Sequence, residues 1–276
     1  MLTKHGGNMK IFENSGLTLM QFEGIDKNWP MSHALSTRKG GVSTIPFDSL
    51  NVGIHVGDLV KNVIENRKKI CRAIGASTEK FVAMQQAHTA NVTVIKSERD
   101  FGGLVSWEEG HKNVDAIVTN LKNVTLFTMA ADCAMTLFFD PVQQVLCLAH
   151  CGWRGALLNI YSNVIKVMSL EYGTQPQNLF AGISPTISCQ SYQVGEDLIK
   201  KLNALYEPAI ANGFYKVEND GYYLDIQAIL LYQLGELGVK NVELANICTA
   251  ENTNLFYSHR QESGKTGRFG IFAYLI

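Results

Sequence analysis

Three side chains able to bind a metal, His88, Cys133 and His150, stand at the ends of β-rich apolar runs. His88 follows the run 81–84 through a polar turn at 85–88. Cys133 follows the run 124–129 by way of Ala130-Ala131-Asp132, and His150 closes the run 144–149. Groups at strand ends are held by a rigid sheet, which is why binding and catalytic residues concentrate there. A thiolate with two imidazoles is a donor set for zinc or copper. Three protein ligands leave a fourth tetrahedral position open, as in catalytic zinc sites. The members are 45 and 17 residues apart, so no short zinc pattern links them. A histidine near a strand end is commonly a hydrogen-bonded structural residue, and a cysteine beside an apolar run is commonly core. On spacing alone both readings stand.

Two further clusters bear on anions. Ser36-Thr37-Arg38-Lys39-Gly40-Gly41-Val42-Ser43 runs on through Pro46-Phe47 to Ser49-Leu50-Asn51. Its Gly-Gly pair permits an unusual turn, and Arg38 suits two-pronged binding of phosphate or another oxyanion. The alternative is a surface turn with a solvated basic pair. Gly152-Trp153-Arg154-Gly155 opens a helix and sets backbone donors and a cation beside His150. Its alternative is a packed tryptophan with a glycine at the helix start. Gly264-Lys265-Thr266-Gly267-Arg268 lacks the full spacing of a phosphate-binding loop.

The elements that must position these groups follow from periodicity. Residues 62–74 read as a helix capped by Asn62, with Ile64, Ile70 and Ile74 on its apolar side and Gly75 ending it. Leu157, Ile160, Tyr161, Val164, Ile165 and Met168 recur at helical spacing, and Gly173 closes that helix. Helices are also expected near 196–206 and over 225–237, the latter ending at Gly238. Strands are expected at 92–95, 136–139, 242–247 and 270–276. Helical patterns alternate with short apolar runs from end to end, which argues for one mixed α/β domain over 1–276. Residues 1–10 are expected to be a flexible N-terminal extension.

The composition, 46% hydrophobic and 18% charged over 276 residues, is that of a globular chain able to bury a sizeable core. A formal net charge of -1 gives no reason to expect a nucleic acid or an anionic membrane as partner. No apolar run nears the roughly 20 residues of a membrane helix, and residues 1–10 carry no apolar signal core. The cytoplasm is therefore the expected location. There the six cysteines stay reduced, and Cys147 and Cys151 do not have a CxxC redox spacing.

Taken in order, TRKGGVSTIPFDSLNVGIHVGD (37–58), MQQAH (84–88), DAIVTN (115–120), ADC (131–133), AHCGWRGA (149–156), SYQVGEDL (191–198) and FYSHRQESGKTGR (256–268) resemble the YfiH-type family. It has been called a laccase-domain or polyphenol oxidase family and also a purine nucleoside phosphorylase family. The resemblance spans roughly 33–276. It implies an α/β/β/α sandwich of mixed sheets, with His88, Cys133 and His150 as metal ligands and zinc or copper as the ion. It also implies phosphorolysis of adenosine, inosine or methylthioadenosine, and deamination of adenosine, in a monomer or small homo-oligomer. Arg38 is then expected beside the metal pocket. Arg38 or Arg154 would meet phosphate, and Asn51 and Gln86 would orient sugar or base. Ala156 replaces the family's usual threonine, Ser184-Pro185-Thr186-Ile187-Ser188 stands where GPAIG is common, and His259-Arg260-Gln261 replaces Tyr-Arg-Arg. These changes touch no implied ligand.

Three other readings compete. Phenol oxidation at several copper centres needs many histidines, and the chain has seven. A metal-free Cys133–His150 dyad would be a hydrolase or amidase, acting for instance on a cell-wall precursor. A non-catalytic partner-binding protein is disfavoured by the complete ligand set.

Overall fold

Along the runs 125–130, 134–140 and 145–151 every residue is buried, apolar on both faces. Strands of that kind must be covered on both sides. The structure, a computed structural model, describes residues 3–5, 9–218 and 220–276. It opens with β1 (Thr3–His5), the hairpin β2 (Lys10–Asn14) and β3 (Leu17–Gln21), then β4 (Met31–Ser36) and helix α1 (Val60–Ile74). Short strands β5 (Phe81–Val82), β6 (Met84–Gln85), β7 (Val92–Val94), β8 (His111–Lys112) and β9 (Ala116–Thr119) lead to β10 (Thr125–Ala130), β11 (Ala134–Asp140) and β12 (Val145–Cys151). Helices α2 (Trp153–Leu157) and α3 (Ile160–Tyr172), strands β13 (Phe180–Ile183) and β14 (Gln193–Val194), and helices α4 (Glu196–Leu205) and α5 (Pro208–Ala211) follow. The hairpin β15 (Tyr215–Glu218) and β16 (Gly221–Leu224), helix α6 (Ile226–Glu236), β17 (Asn241–Leu244) and β18 (Phe269–Leu275) complete the chain.

Two mixed sheets form the centre. One has the order β1-β17-β13-β11-β12-β9-β7, the other β2-β3-β4-β18-β10-β5. Phe138, Cys147 and Ala181 of the first pack against Val164, Leu202 and Leu230 of α3, α4 and α6. Its opposite face, with Leu137, Phe139 and Leu148, meets Leu35, Leu126 and Ile271 of the second sheet. The far side of the second sheet, with Leu19, Ala34 and Phe272, is covered by Ile70 and Cys71 of α1. The layers therefore run α/β/β/α, as the family resemblance implied. Among the described residues no helix is long and apolar enough to cross a membrane.

Several boundaries differ from the sequence expectation. Asn62 does not cap α1; the cap position is Leu59, which offers no side-chain bond, while Gly75 does end the helix with φ +72°. The helix expected to carry both Leu157 and Met168 is two helices. Asn159, at φ +49°, breaks it and caps α3 by accepting the Ser162 N–H. The run 81–84 splits, because β5 pairs with β10 whereas β6 pairs with β8. The run 242–247 leaves the sheet at Leu244, ahead of Asn246 in the left-handed region. His150 lies within β12, paired with Met135, and not beyond its end. Of residues 1–10, Thr3–His5 pairs with β17 and Lys10 starts β2; residues 1, 2 and 6–8 lie outside the described residues.

Arg67 on α1 is a buried cation that joins two loops leading toward the site. It donates to the carbonyls of Val52 (2.8 Å), Gly103 and Leu104 (3.1 Å), over the ring of Phe127. Burial draws its guanidinium down to about 9. Arg67→Met would strand these carbonyls, so urea denaturation should show a loss of about 3 kcal/mol. An unchanged midpoint would mean that the loops hold themselves.

Candidate metal centre

The site is assembled around Asp115, which lies fully buried just before β9. Its carboxylate accepts the N–H groups of Ala87 (3.1 Å), His88 (3.1 Å) and Thr89 (2.7 Å), and the Thr89 hydroxyl (2.8 Å). Three successive amides turned onto one anion fold the loop after β6 into a cup. His88 sits in that loop at φ +59°, a conformation that a bulky residue keeps only when its surroundings impose it. The fifth partner of Asp115 is His150, whose Nδ1 lies 2.9 Å away. An ionised carboxylate can only accept, so Nδ1 carries a hydrogen, and Nε2 is the nitrogen left for an ion that displaces its proton. Burial would raise Asp115, but the hydrogen bond and charge of His150 and the Thr89 donors bring it down to about 2.

Cys133 is placed by the tight connection between β10 and β11. Asp132, at φ +85°, turns the chain there. Its carboxylate accepts the Thr249 hydroxyl (2.6 Å) and the Arg260 N–H (2.7 Å), and its carbonyl accepts the Thr186 hydroxyl and the Ile187 N–H (3.0 Å). The result brings Cys133 Sγ to 3.9 Å from His88 Nε2, with the His88 and His150 rings 5.0 Å apart. One ligand atom from each of the three residues lies within 4.8 Å of the others. Tetrahedral coordination at 2.0–2.3 Å needs ligand atoms roughly 3.5 Å apart, so the donor set fits a zinc-sized ion after a small contraction. Among the described residues this is the one group of three such side chains close enough to share an ion.

Gly152 keeps the space open. A Cβ there would come within 2.8 Å of Cys133 Sγ and 3.1 Å of His88 Cδ2. Burial by itself would raise the Cys133 thiol, but the neighbouring His150 and His88 more than offset it and bring it down to about 6. The His150 imidazole moves upward for the reciprocal reason: burial disfavours its charge, and Cys133 and Asp115 favour it more.

The three residues line a cleft of about 370 Å³. Met129, Ile187, Ile226 and Trp153 give it apolar walls, and Arg154, Arg260 and Arg268 line it with positive charge. Arg154 thus lines the same cleft as His150. Gln86 also lines the cleft, but its amide is spent on the backbone of Met129 at 2.7 and 3.0 Å. Arg38 is not among the lining residues: its guanidinium is taken by Asp48, Glu262 and the Thr253 carbonyl and lies over Tyr257. Asn51 is fully buried and bonds Gly53, Asp58 and the N–H of Arg268. It shapes the cleft without facing it. Asp115, Asp132 and Arg260 were given no role from sequence and Gly152 only a place in the helix entry, although all four lie in the motifs DAIVTN, ADC, AHCGWRGA and FYSHRQESGKTGR.

Comparison with known proteins extends the picture. The family sequence model described as multi-copper polyphenol oxidoreductase laccase matches residues 32–276. The purine nucleoside phosphorylase YlmD of Bacillus subtilis (strain 168) is 34% identical over 242 residues, which are 86% of either chain. The purine nucleoside phosphorylase YfiH of Escherichia coli (strain K12) is 30% identical over 91% of this chain and 98% of its own. The crystal structure of the hypothetical protein YfiH from Bacillus licheniformis superposes with a TM-score of 0.89 at 28% identity, over 98% of this chain and 100% of that one. YlmD from Geobacillus stearothermophilus gives 0.88 at 28% identity, over 97% and 98%.

Asp115→Asn would put an amide where only donors converge. The affinity of the folded protein for zinc, measured by competition with a chromogenic chelator, should fall about 10- to 100-fold. Unchanged affinity would show that the ligands orient themselves. Metal-stripped protein should alkylate at Cys133 with a midpoint near pH 6, fast above it and slowing below as the thiol protonates. Zinc-loaded protein should be protected. Equal labelling in the two states would remove Cys133 from the ligand set.

Proposed function

The chain belongs to the multi-copper polyphenol oxidoreductase laccase family, and from that premise we propose that it is a metal-dependent purine nucleoside enzyme. Its reactions would be phosphorolysis of adenosine, inosine and methylthioadenosine to the base and the (methylthio)ribose 1-phosphate, and deamination of adenosine to inosine. The observation that carries this reading is the joint presence of the His88–Cys133–His150 group and three arginines in one cleft. His88, Cys133 and His150 would hold the ion, zinc in our assignment with copper as the alternative. When bound, such an ion supplies Lewis acidity and lets water act as a nucleophile near pH 7.

In phosphorolysis a phosphate oxygen forms a bond to C1′ of the ribose while the bond from C1′ to the base nitrogen breaks. The electron pair leaves with the base, which takes up a proton. Positive charge grows on the sugar, and a nearby anion stabilises it. Arg154, Arg260 and Arg268, which line the cleft, would gather that anion. Arg154 rests on Trp153 at 4.2 Å and Arg260 on Tyr192 at 5.2 Å, so neither must be ordered from free solution. In deamination water adds at C6 of adenine and ammonia leaves. Asp115 keeps a hydrogen on Nδ1 of His150, which leaves Nε2 as the nitrogen that would give up its proton to ligate the ion. Six free thiols suit a reducing compartment, and we assign the protein to the cytoplasm.

Phenol oxidation ranks lower, because multicopper chemistry takes several centres and one ligand group is present among the described residues. A cysteine hydrolase acting on an amide is the second reading. It is favoured by the chain Asp115–His150–Cys133 with its lowered thiol, an arrangement that also suits nucleophilic attack.

Metal-quantified protein incubated with adenosine and phosphate should yield adenine and ribose 1-phosphate, and inosine without a phosphate requirement, read by chromatography. Cys133→Ala should slow both by roughly 100-fold or more, the scale of losing one electrostatic stabiliser. Intact nucleosides together with amide cleavage through Cys133 in metal-free protein would establish the hydrolase instead.

A further inference from the structure

We propose that Trp107 and His55 form the shelf on which the purine base stacks, and so determine specificity for the base. The proposal rests on the nucleoside reading above and deepens it. Both side chains line the same cleft as the metal group. Their ring centroids are 4.6 Å apart at 43°, which leaves a splayed aromatic surface.

Four of the other rings of the cleft are engaged. Trp153 has Arg154 over it at 4.2 Å and Lys201 at 5.7 Å, and Tyr192 has Arg260. His88 meets His150 edge to face. Among the described residues, no cation lies over Trp107 or His55, and each has only the other as ring neighbour. A planar heterocycle is the ligand that π-faces of this kind accept, whatever its sequence of substituents.

The shelf is held from behind. The Trp107 carbonyl accepts Gln85 Nε2 at 2.8 Å and the Gly110 N–H at 3.1 Å. The turn that carries His55, Ile54–Val56, follows Gly53, whose N–H donates to Asn51 Oδ1 at 2.9 Å. That same oxygen accepts the Arg268 N–H at 2.8 Å, so one buried amide fixes the shelf relative to an arginine of the cleft. Arg268 lines the cleft together with the shelf and the metal group. Desolvation in the cleft, with Arg268 and Arg67 adding to it, lowers the His55 imidazole to about 4. The ring is neutral at pH 7 and does not repel a base through positive charge.

The test is steady-state kinetics and fluorescence on zinc-loaded protein. Trp107→Ala should raise the KM for adenosine about tenfold or more, the scale of removing one stacked ring, with the KM for phosphate and the zinc content unchanged. Trp107→Phe should restore most of the loss, and His55→Ala should reproduce part of it. Adenosine should quench the tryptophan emission of the wild type, and Trp107→Phe should remove most of the quench, the remainder coming from Trp153 in the same cleft; that readout stands even if Trp107→Ala does not fold. Wild-type turnover with an unchanged adenosine KM in the variants, or a quench undiminished in Trp107→Phe, would overturn the shelf and leave the nucleoside reading intact. A wild type that neither binds nor converts any purine nucleoside would overturn both.

Discussion

One buried carboxylate holds the site together. Asp115 draws three consecutive amides of the His88 loop and the imidazole of His150 onto the same two oxygens. A charge removed from water is costly unless every lone pair is answered, and here it is answered by groups whose positions matter to chemistry. The stabilisation of the anion and the placing of His88 and His150 are therefore one interaction. Its low proton affinity keeps the carboxylate in its accepting form across the neutral range.

Asp132 does similar work on the other side. It joins the tight connection bearing Cys133 to Thr249, to Thr186 and to the backbone of Arg260. The chain thus brings together segments more than 100 residues apart, and an arginine of the cleft shares its anchor with the Cys133 thiol. The two mixed sheets supply the frame: β12 carries His150, the β10–β11 connection carries Cys133, and the loop after β6 carries His88.

Much of this was legible in the amino-acid order. The apolar runs located the strands of the centre, and the ends of those runs located His88, Cys133 and His150. Cap chemistry succeeded where glycine had to adopt a left-handed conformation, at Gly75 and Gly173. It failed at Asn62, because tertiary packing set the start of α1 without a side-chain cap, and it overlooked Asn159 inside an apolar pattern that seemed continuous. Arg38 shows the main limit. Its type suited an oxyanion, and the Gly-Gly turn beside it looked adaptable. Its partners, however, include Glu262 and the Thr253 carbonyl, more than 200 residues away, and nothing local reveals that the charge is already satisfied. Asp115 escaped notice for the same reason: a lone acid before a strand is unremarkable until five donors from distant positions surround it.

Gly152 carries a genetic consequence. The room between Cys133 and His88 exists because residue 152 ends at its Cα hydrogen. Every amino acid reachable from a glycine codon by changing its first or second base brings a Cβ. In mutational drift this position has no intermediate steps: its neighbours in sequence space either preserve glycine silently or crowd the centre at once.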